Sequence, residues 1–373
     1  MIIEGGRIFT KGGNFFEGSI RFDRKITEIG RIHPEEDEPC LQVSGGYVIP
    51  GMVDIHTHGA VGHDVCDATP EGHRAMSLYF AENGVTSFCP TTMTQPEETL
   101  TRVMQNIVNT SLEGAKCAGI HLEGPFISPL KKGSQPEEHI QPPNGDLFHR
   151  LNQAAESRIC LVDIAPEKDA GFRFTRETAK KCRVAFGHTD TDYQTAMDGF
   201  ASGADHVTHL FNAMSPYHQF DPGLIGAAVD SGAYVEVICD GHHVHPSIIK
   251  SLFRLFSPER ICFISDSLRC AGMAEGEYDL AGQTVFLQNG KATLKSGMLA
   301  GSAIHLMEAV RRAVRFGVPL EMAVAAATRN PAASIGMQDS IGSLTPGANA
   351  DIVVLDCDLN IRQVFLQGEA FCS

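Results

Sequence analysis

The stretch that decides the fold reads Pro50-Gly51-Met52-Val53-Asp54-Ile55-His56-Thr57-His58-Gly59. Residues 48–55 are mostly apolar and predict a buried β-strand, and two histidines follow it directly. Because side chains alternate along a strand, His56 and His58 are expected to point to the same side. Two neutral imidazoles a few ångströms apart can bind a metal ion. A pair of exposed loop histidines is the alternative, but the apolar strand that leads into them favours the metal site.

Beyond this stretch, apolar segments alternate with helix patterns. The further predicted strands are residues 86–90, 118–122, 160–164, 184–187, 206–210, 234–239 and 261–265, and the helices include 71–83, 97–112, 176–181, 195–202 and 247–256. Eight such alternations predict an α/β fold, a TIM-like (β/α)8 barrel. A doubly wound open sheet is the alternative, but no Gly-rich dinucleotide-binding or P-loop signature follows any strand.

The sequence pattern at both ends of the chain differs from that of the middle. Short strands punctuated by turns are predicted at 1–8, 18–22 and 25–29, and again at 350–355 and 362–366. We therefore predict a small β-sandwich domain built from residues 1–49 and 342–373, flanking a barrel of residues 50–341.

Composition excludes several classes of protein. The 45 acidic residues outnumber the 30 basic ones and give a formal net charge of -15, which disfavours nucleic acid and anionic membranes as partners. We find neither an apolar signal-peptide core nor a run near the roughly 18 apolar residues that a membrane span needs. The 11 cysteines form no Cys-x-x-Cys pair, as expected for free thiols in a reducing compartment. A cytoplasmic location is expected.

Polar residues follow several other predicted strands, where barrel enzymes place their chemistry. Glu123 ends one strand, and a carboxylate there can bind or bridge divalent ions, although a structural acid is equally compatible. His188 and His209 follow two later strands, and together with Glu123 they favour metal binding. Asp266 ends the last strand, where it can take a proton from a metal-bound water. His243, in the run Gly241-His242-His243-Val244-His245, is interpreted as a substrate contact.

These elements together resemble the amidohydrolase superfamily and, within it, the N-acetylglucosamine-6-phosphate deacetylases. The most specific runs are His121-Leu122-Glu123-Gly124-Pro125-Phe126 and Thr208-His209-Leu210-Phe211-Asn212-Ala213-Met214. Further matches lie at 50–59, 131–133, 187–188, 240–243, 265–272 and 299–302. The matching segments extend over most of the chain.

The resemblance implies a metal-dependent hydrolase that removes the acetyl group of an N-acetylated sugar. Glu123, His188 and His209 then correspond to the family's metal ligands, and His56 and His58 provide for a second ion. Asp266 corresponds to the catalytic acid and base and is also expected among the ligands. One or two divalent ions are implied, with zinc expected and iron, cobalt or manganese as options. The substrate contacts implied are Ser134, Gln135, Asn212, Ala213, His243, Leu299 and Gly301, and the implied assembly is a homodimer.

Two positions depart from the family pattern. Gln135 stands where the family often has a substrate-contacting histidine, and Phe220 stands where it usually has an arginine that grips the sugar phosphate. A phenylalanine offers no charge-assisted contact to a phosphate, so Lys131, Lys132 or Arg269 would have to supply the charge.

Several alternatives therefore stay open. One is deacetylation of N-acetylgalactosamine-6-phosphate, of an unphosphorylated acetamido sugar or of a related N-acyl compound. A cyclic amide hydrolase or deaminase of the same superfamily is another. A non-enzymatic metal-binding or sensor protein is the alternative from a different class.

Overall fold

The structure, a computed structural model, describes residues 1–372. Its strands in chain order are β1 (Ile2–Phe9), β2 (Phe15–Phe22), β3 (Ile26–Gly30), β4 (Cys40–Gln42), β5 (Tyr47–Pro50), β6 (Met52–Thr57), β7 (Gly59–Ala60), β8 (His63–Asp64), β9 (Val85–Pro90), β10 (Lys116–Cys117), β11 (Ile120–Leu122), β12 (Ile159–Ile164), β13 (Arg183–Phe186), β14 (His206–Val207), β15 (Tyr234–Ile238), β16 (Ile261–Ile264), β17 (Gly276–Leu280), β18 (Gln283–Gln288), β19 (Lys291–Leu294), β20 (Leu299–Gly301), β21 (Ile352–Leu355), β22 (Ile361–Leu366) and β23 (Glu369–Phe371). The α-helices are α1 (Pro70–Glu82), α2 (Glu97–Asn109), α3 (Gly145–Ala154), α4 (Arg173–Thr178), α5 (Tyr193–Ala201), α6 (Gly223–Ser231), α7 (Pro246–Leu255), α8 (Leu306–Arg315), α9 (Leu320–Ala327) and α10 (Arg329–Ser334).

The two ends of the chain build one sheet. Its strand order is β23-β22-β21-β5-β1-β2-β3, with β4 paired to β1. The link between the ends is the antiparallel pairing of β5 with β21, which places Pro50 opposite Ile352. Apolar side chains from both ends, among them Ile8, Phe22 and Phe365, pack into one buried cluster beside it.

A curled parallel sheet occupies the middle of the chain. One ladder joins β10, β9 and β6, and a second runs from β11 through β16 in chain order. A parallel bridge between Thr91 and His121 connects the two ladders. Helices α1 to α7 lie between successive strands of this sheet, and most of the apolar core lies between them and the strands. The carboxyl ends of the parallel strands therefore meet on one side of the sheet.

Several helices begin with a side-chain cap. Thr69 precedes α1, its hydroxyl accepts the Gly72 N–H at 3.3 Å, and Pro70 occupies the first helical position. Asp192 caps α5 by accepting the Thr195 N–H at 2.7 Å. Among residues 1–372, no helix combines the length and apolar character needed to cross a bilayer.

The predicted strand 48–55 is wrong as one element. The chain leaves the terminal sheet at Pro50 and enters the parallel sheet at Met52, which pairs with Val85. A Cβ at Gly51 would lie 2.0 Å from the Thr86 hydroxyl, so the crossing depends on a residue without a side chain. Hydrophobicity is continuous across this point because both sheets bury the segment, and the pattern therefore hides the change of partner.

Other boundaries also differ from the prediction. The predicted strand 206–210 has only His206–Val207 in the ladder, because the backbone turns to positive φ at His209. Helices α3, α6 and α8 to α10 were not predicted, nor was the four-stranded antiparallel sheet β17-β18-β19-β20 that follows the last parallel strand. That sheet matters for the site because β20 contributes to the cavity described below.

Candidate metal centre and active site

Six side chains converge at the carboxyl ends of the parallel strands. They are His56, His58, Glu123, His188, His209 and Asp266, and all are buried. They follow or end β6, β11, β13, β14 and β16, as expected from their places after apolar segments. The structure thus brings together every residue that the sequence proposes as a metal ligand or catalytic acid.

Glu123 lies at the centre of this group. Its Oε1 is 3.1 Å from Nε2 of His188 and 3.1 Å from Nε2 of His209. Its Oε2 is 3.3 Å from Nε2 of His58. Burial alone raises the pKa of Glu123, but the imidazoles around it, led by His58, lower that pKa well below its usual range. The residue is therefore a carboxylate that faces three imidazole nitrogens.

His56, His58 and Asp266 form the adjoining part of the group. The two Nε2 atoms are 3.2 Å apart, so the histidines do point to the same side. Oδ1 of Asp266 lies 3.3 Å from Nε2 of His58 and 3.6 Å from Nε2 of His56. Although burial lowers the pKa of His58, Glu123 and Asp266 raise it to about 9. The two carboxylates thus favour the protonated, positively charged form of His58.

The donor chemistry fits a bound cation. Nδ1 of His188 lies 2.8 Å from the carbonyl oxygen of Lys131, which only accepts, so this nitrogen carries the proton. In the neutral imidazole, Nε2 then presents a lone pair to Glu123 and to Nε2 of His209, which is 3.1 Å away. An imidazole lone pair that faces a carboxylate and a second imidazole nitrogen at this distance belongs to the kind of donor set that holds a divalent metal ion. The same ligand atoms form the groups His56, His58, Asp266 and Glu123, His188, His209.

Three of the six residues have an unusual backbone. His188 and Asp266 have a φ of 47°, and His209 has a φ of 27°. Residues with a side chain rarely adopt positive φ, which costs of order 1 kcal/mol or more and is found mainly at functional sites. The turn directs each side chain back over the end of its strand. Sequence patterns do not show this strain.

A layer of buried polar residues lies beneath the six, and the place of Glu236 in it was not predicted. Glu236, in β15, is fully buried, and its Oε2 accepts the Nδ1–H of His56 at 2.9 Å. Burial by itself raises the pKa of Glu236, but His56 and His206 lower it well below its usual range, so it stays ionised. The signal in the sequence is a single acid within the apolar run Tyr234-Val235-Glu236-Val237-Ile238.

His121 stands two residues before Glu123 in the sequence, where a supporting or core role is predicted, and it belongs to this lower layer and not to the ligands. Its Nδ1 donates to the carbonyl oxygen of Ile55 at 3.0 Å, and its Nε2 donates to Oδ1 of Asp163 at 2.8 Å. Burial lowers the pKa of His121, but Asp163 outweighs burial and raises it to about 10. With both nitrogens protonated, His121 has no lone pair for a metal ion.

A cavity of about 370 Å³ is lined by five of the six residues, all but His56. All seven predicted substrate contacts line it: Ser134, Gln135, Asn212, Ala213, His243, Leu299 and Gly301. His243 is oriented by Asp240, whose Oδ2 is 2.7 Å from its Nδ1. Met93, Leu130, Leu268 and Met298 give part of the wall an apolar character. The volume lies within the range of small-molecule sites.

The side chain of Gln135 makes two hydrogen bonds to other residues of the protein. Its Nε2 donates to Oε2 of Glu123 at 2.5 Å, and its Oε1 accepts the Thr94 N–H at 2.7 Å. The side chain therefore orients Glu123 at the edge of the cavity. The sequence predicts that Gln135 lies at the cavity but does not indicate that its amide holds Glu123.

The three basic residues named as possible phosphate contacts lie in different places. Lys131 lines the cavity, and its Nζ is 3.1 Å from Oδ1 of Asp190. Lys132 turns to Glu137, and Arg269 pairs with Asp67 at 2.9 Å. Phe220 is 85% exposed. Within residues 1–372, Lys131 is thus the one lysine or arginine among the residues lining this cavity.

We expect the substitution Glu123→Gln to lower the divalent metal content by at least one ion per chain. The amide loses the negative charge that faces three imidazoles, although its size is nearly unchanged. Metal analysis of the purified protein after dialysis provides the measurement. Glu137→Gln, at an exposed carboxylate in the neighbouring loop, serves as the control. Equal metal content in wild type and Glu123→Gln would contradict the role of this carboxylate.

Comparison with known proteins places the chain in a family. The family described as "Amidohydrolase family" matches residues 47–371. N-acetylglucosamine-6-phosphate deacetylase of Bacillus subtilis (strain 168) is 37% identical over 363 residues, covering 94% of this chain and 92% of that protein. N-acetylgalactosamine-6-phosphate deacetylase of Escherichia coli O157:H7 is 35% identical over 326 residues, covering 86% of each.

A solved structure agrees over the whole chain. N-acetyl-D-glucosamine-6-phosphate deacetylase of Mycobacterium smegmatis superimposes with a TM-score of 0.93 at 30% identity and covers 100% of both chains. A mutant of that enzyme, solved in complex with N-acetyl-D-glucosamine-6-phosphate, gives a TM-score of 0.91 and covers 99% of this chain and 98% of that one. A divalent metal ion is the cofactor that this family and the clustered ligands imply. The chain belongs to the amidohydrolase family.

Proposed function

We propose that the chain is a metal-dependent deacetylase that hydrolyses the amide of N-acetylglucosamine-6-phosphate to acetate and glucosamine-6-phosphate. The observation that carries this is the carboxylate Glu123, ringed by imidazoles and adjacent to Asp266, at the base of a cavity of about 370 Å³. The relatives that share the fold and about a third of the sequence are deacetylases of N-acetylated sugar phosphates.

We infer that the curled parallel sheet closes as a (β/α)8 barrel over residues 50–341, with the small domain formed by 1–49 and 342–373. Contacts between the first and last strands support closure. The Asp266 N–H donates to the His56 carbonyl oxygen at 2.9 Å, and the His58 N–H donates to that of Ser267 at 2.9 Å. The homodimer implied by the resemblance stays a prediction.

The metal ligands we propose form two groups. Glu123, His188 and His209 would hold one divalent ion. His56, His58 and Asp266 would hold a second, beside Glu123. Zinc suits a set of imidazoles and carboxylates, and iron, cobalt and manganese accept the same set.

The reaction adds water across the acetamide C–N bond. The chemistry that bound divalent ions supply is polarisation of the carbonyl oxygen and a lower pKa for the attacking water. Asp266 accepts a proton from that water as its oxygen bonds to the acetyl carbon, and then delivers the proton to the sugar nitrogen as the C–N bond breaks. Burial raises the pKa of Asp266, but His58 and neighbouring imidazoles bring it below its usual value, which keeps the carboxylate ready to accept.

The remaining cavity residues would hold the sugar. His243 is oriented by Asp240. The Nδ2 of Asn212 donates to the His209 carbonyl oxygen at 3.2 Å, and the Ser134 hydroxyl donates to the carbonyl oxygen of Ala300 at 3.2 Å. We assign Gln135 to the support of Glu123 and not primarily to the substrate.

The second candidate is the same reaction on a different acetamido sugar. The Escherichia coli relative named for N-acetylgalactosamine-6-phosphate favours the epimer. The exposed Phe220 and the single cavity lysine favour a sugar without the phosphate. A non-enzymatic role fits less well, because ligands, Asp266 and cavity are all in place.

The substitution Asp266→Asn is expected to reduce acetate release by at least 10³-fold, because an amide cannot accept the proton of the attacking water. The ion at Glu123, His188 and His209 should be retained, since these ligands are untouched, while the second ion, for which Asp266 is a proposed ligand, should bind more weakly. Acetate release and metal analysis on the same preparation test both points. Turnover near the wild-type rate would refute the role of Asp266.

For Lys131→Met we expect the KM for N-acetylglucosamine-6-phosphate to rise by about 10-fold or more, since one charge-assisted contact contributes roughly 1.5–3 kcal/mol. The KM for N-acetylglucosamine should not change. Lys132→Met removes the adjacent lysine, which faces Glu137, and should leave both values unaltered. If Lys131→Met changed the KM for both sugars equally, or for neither, Lys131 would not bind the phosphate.

A further inference from the structure

Glu236 connects the two groups of proposed ligands. Its Oε2 accepts both the Nδ1–H of His56, at 2.9 Å, and the backbone N–H of His209, at 3.2 Å. Its Oε1 lies 3.2 Å from Nε2 of His206. His56 and His209 belong to different ligand groups and to strands that are not neighbours in the sheet. Oε2 of Glu236 therefore hydrogen-bonds to one residue of each proposed ligand group.

Each of these contacts fixes something that metal binding needs. The bond to His56 commits the proton to Nδ1 and leaves the Nε2 lone pair facing His58 and Asp266. The bond to His209 holds its peptide at a φ of 27°, a conformation that a histidine rarely adopts. Glu236 is itself fully buried and lies outside the residues that line the cavity, so it acts only through these neighbours.

We propose that Glu236 is a positioning residue that holds His56 and His209 in place, so that each of the two proposed ligand groups could hold a divalent ion. Its negative charge also strengthens His56 as a ligand, because a carboxylate that accepts from one ring nitrogen makes the other more basic. The inference rests on the metal-dependent reaction proposed above but not on the identity of the sugar.

The test measures zinc binding to the full chain by calorimetric titration of the metal-free protein with Zn²⁺. Wild type should bind two ions. Glu236→Gln removes the charge at constant size, and it should weaken the ion at His56 and His58 by about 10–100-fold. The ion at Glu123, His188 and His209 should be affected less. If Glu236→Gln fails to fold, Glu236→Asp, which keeps the charge but shortens the side chain, should show the same loss.

Asp163→Asn is the matched control. Asp163 is as deeply buried as Glu236, but it hydrogen-bonds to His121 and Thr208 and to none of the proposed ligands. The zinc affinities of the Asp163→Asn variant should stay within about threefold of wild type. Weaker zinc binding in Glu236→Gln alone would therefore distinguish a positioning role from general damage to the interior.

The results that would contradict this inference differ from those that would contradict the proposed function. Wild-type affinities in the folded Glu236 variant, an equal loss in Asp163→Asn, or a wild type that binds only one ion would each overturn the inference. A wild type that binds two ions but releases no acetate from any acetamido sugar would instead overturn the proposed function.

Discussion

The buried carboxylate of Glu123 is the constraint on which the rest of the site depends. An ionised carboxylate in the interior is costly unless positive charge or hydrogen-bond donors surround it. Nε2 atoms of His58, His188 and His209 lie within 3.3 Å of its oxygens, and Gln135 donates to it at 2.5 Å. The three histidines follow different strands, so the carboxylate connects the ends of the parallel sheet at one point.

Around that point the polar interior is arranged in two layers. The upper layer holds the proposed ligands, several on backbone turned to positive φ, and opens to the cavity. The lower layer holds the ion pair of His121 with Asp163 and the carboxylate of Glu236, all fully buried. Within the lower layer it is Glu236 that contacts the proposed ligands, because its Oε2 accepts from Nδ1 of His56 and from the backbone N–H of His209.

The upper layer could be predicted from the sequence, because histidines and acids that directly follow several apolar strands indicate a site at one end of a parallel sheet. His56, His58, Glu123, His188, His209 and Asp266 were all identified in this way and converge in the structure. The roles of Glu236, Asp163 and Gln135 could not be predicted, since a hydrogen-bond partner distant in sequence leaves no local pattern. The crossing at Gly51 was also missed, because continuous hydrophobicity does not reveal which sheet a strand joins. The sheet of β17 to β20 was missed because its strands carry many exposed polar residues and no long apolar run.

The central claim is that these residues make a metal-dependent deacetylase, and one titration tests it most directly. Metal-free protein is titrated with Zn²⁺ while acetate release from N-acetylglucosamine-6-phosphate is followed. The account predicts no release without metal and a rise in activity that saturates as the ligand groups fill. Full activity in the metal-free protein, or none in the fully loaded protein, would contradict it.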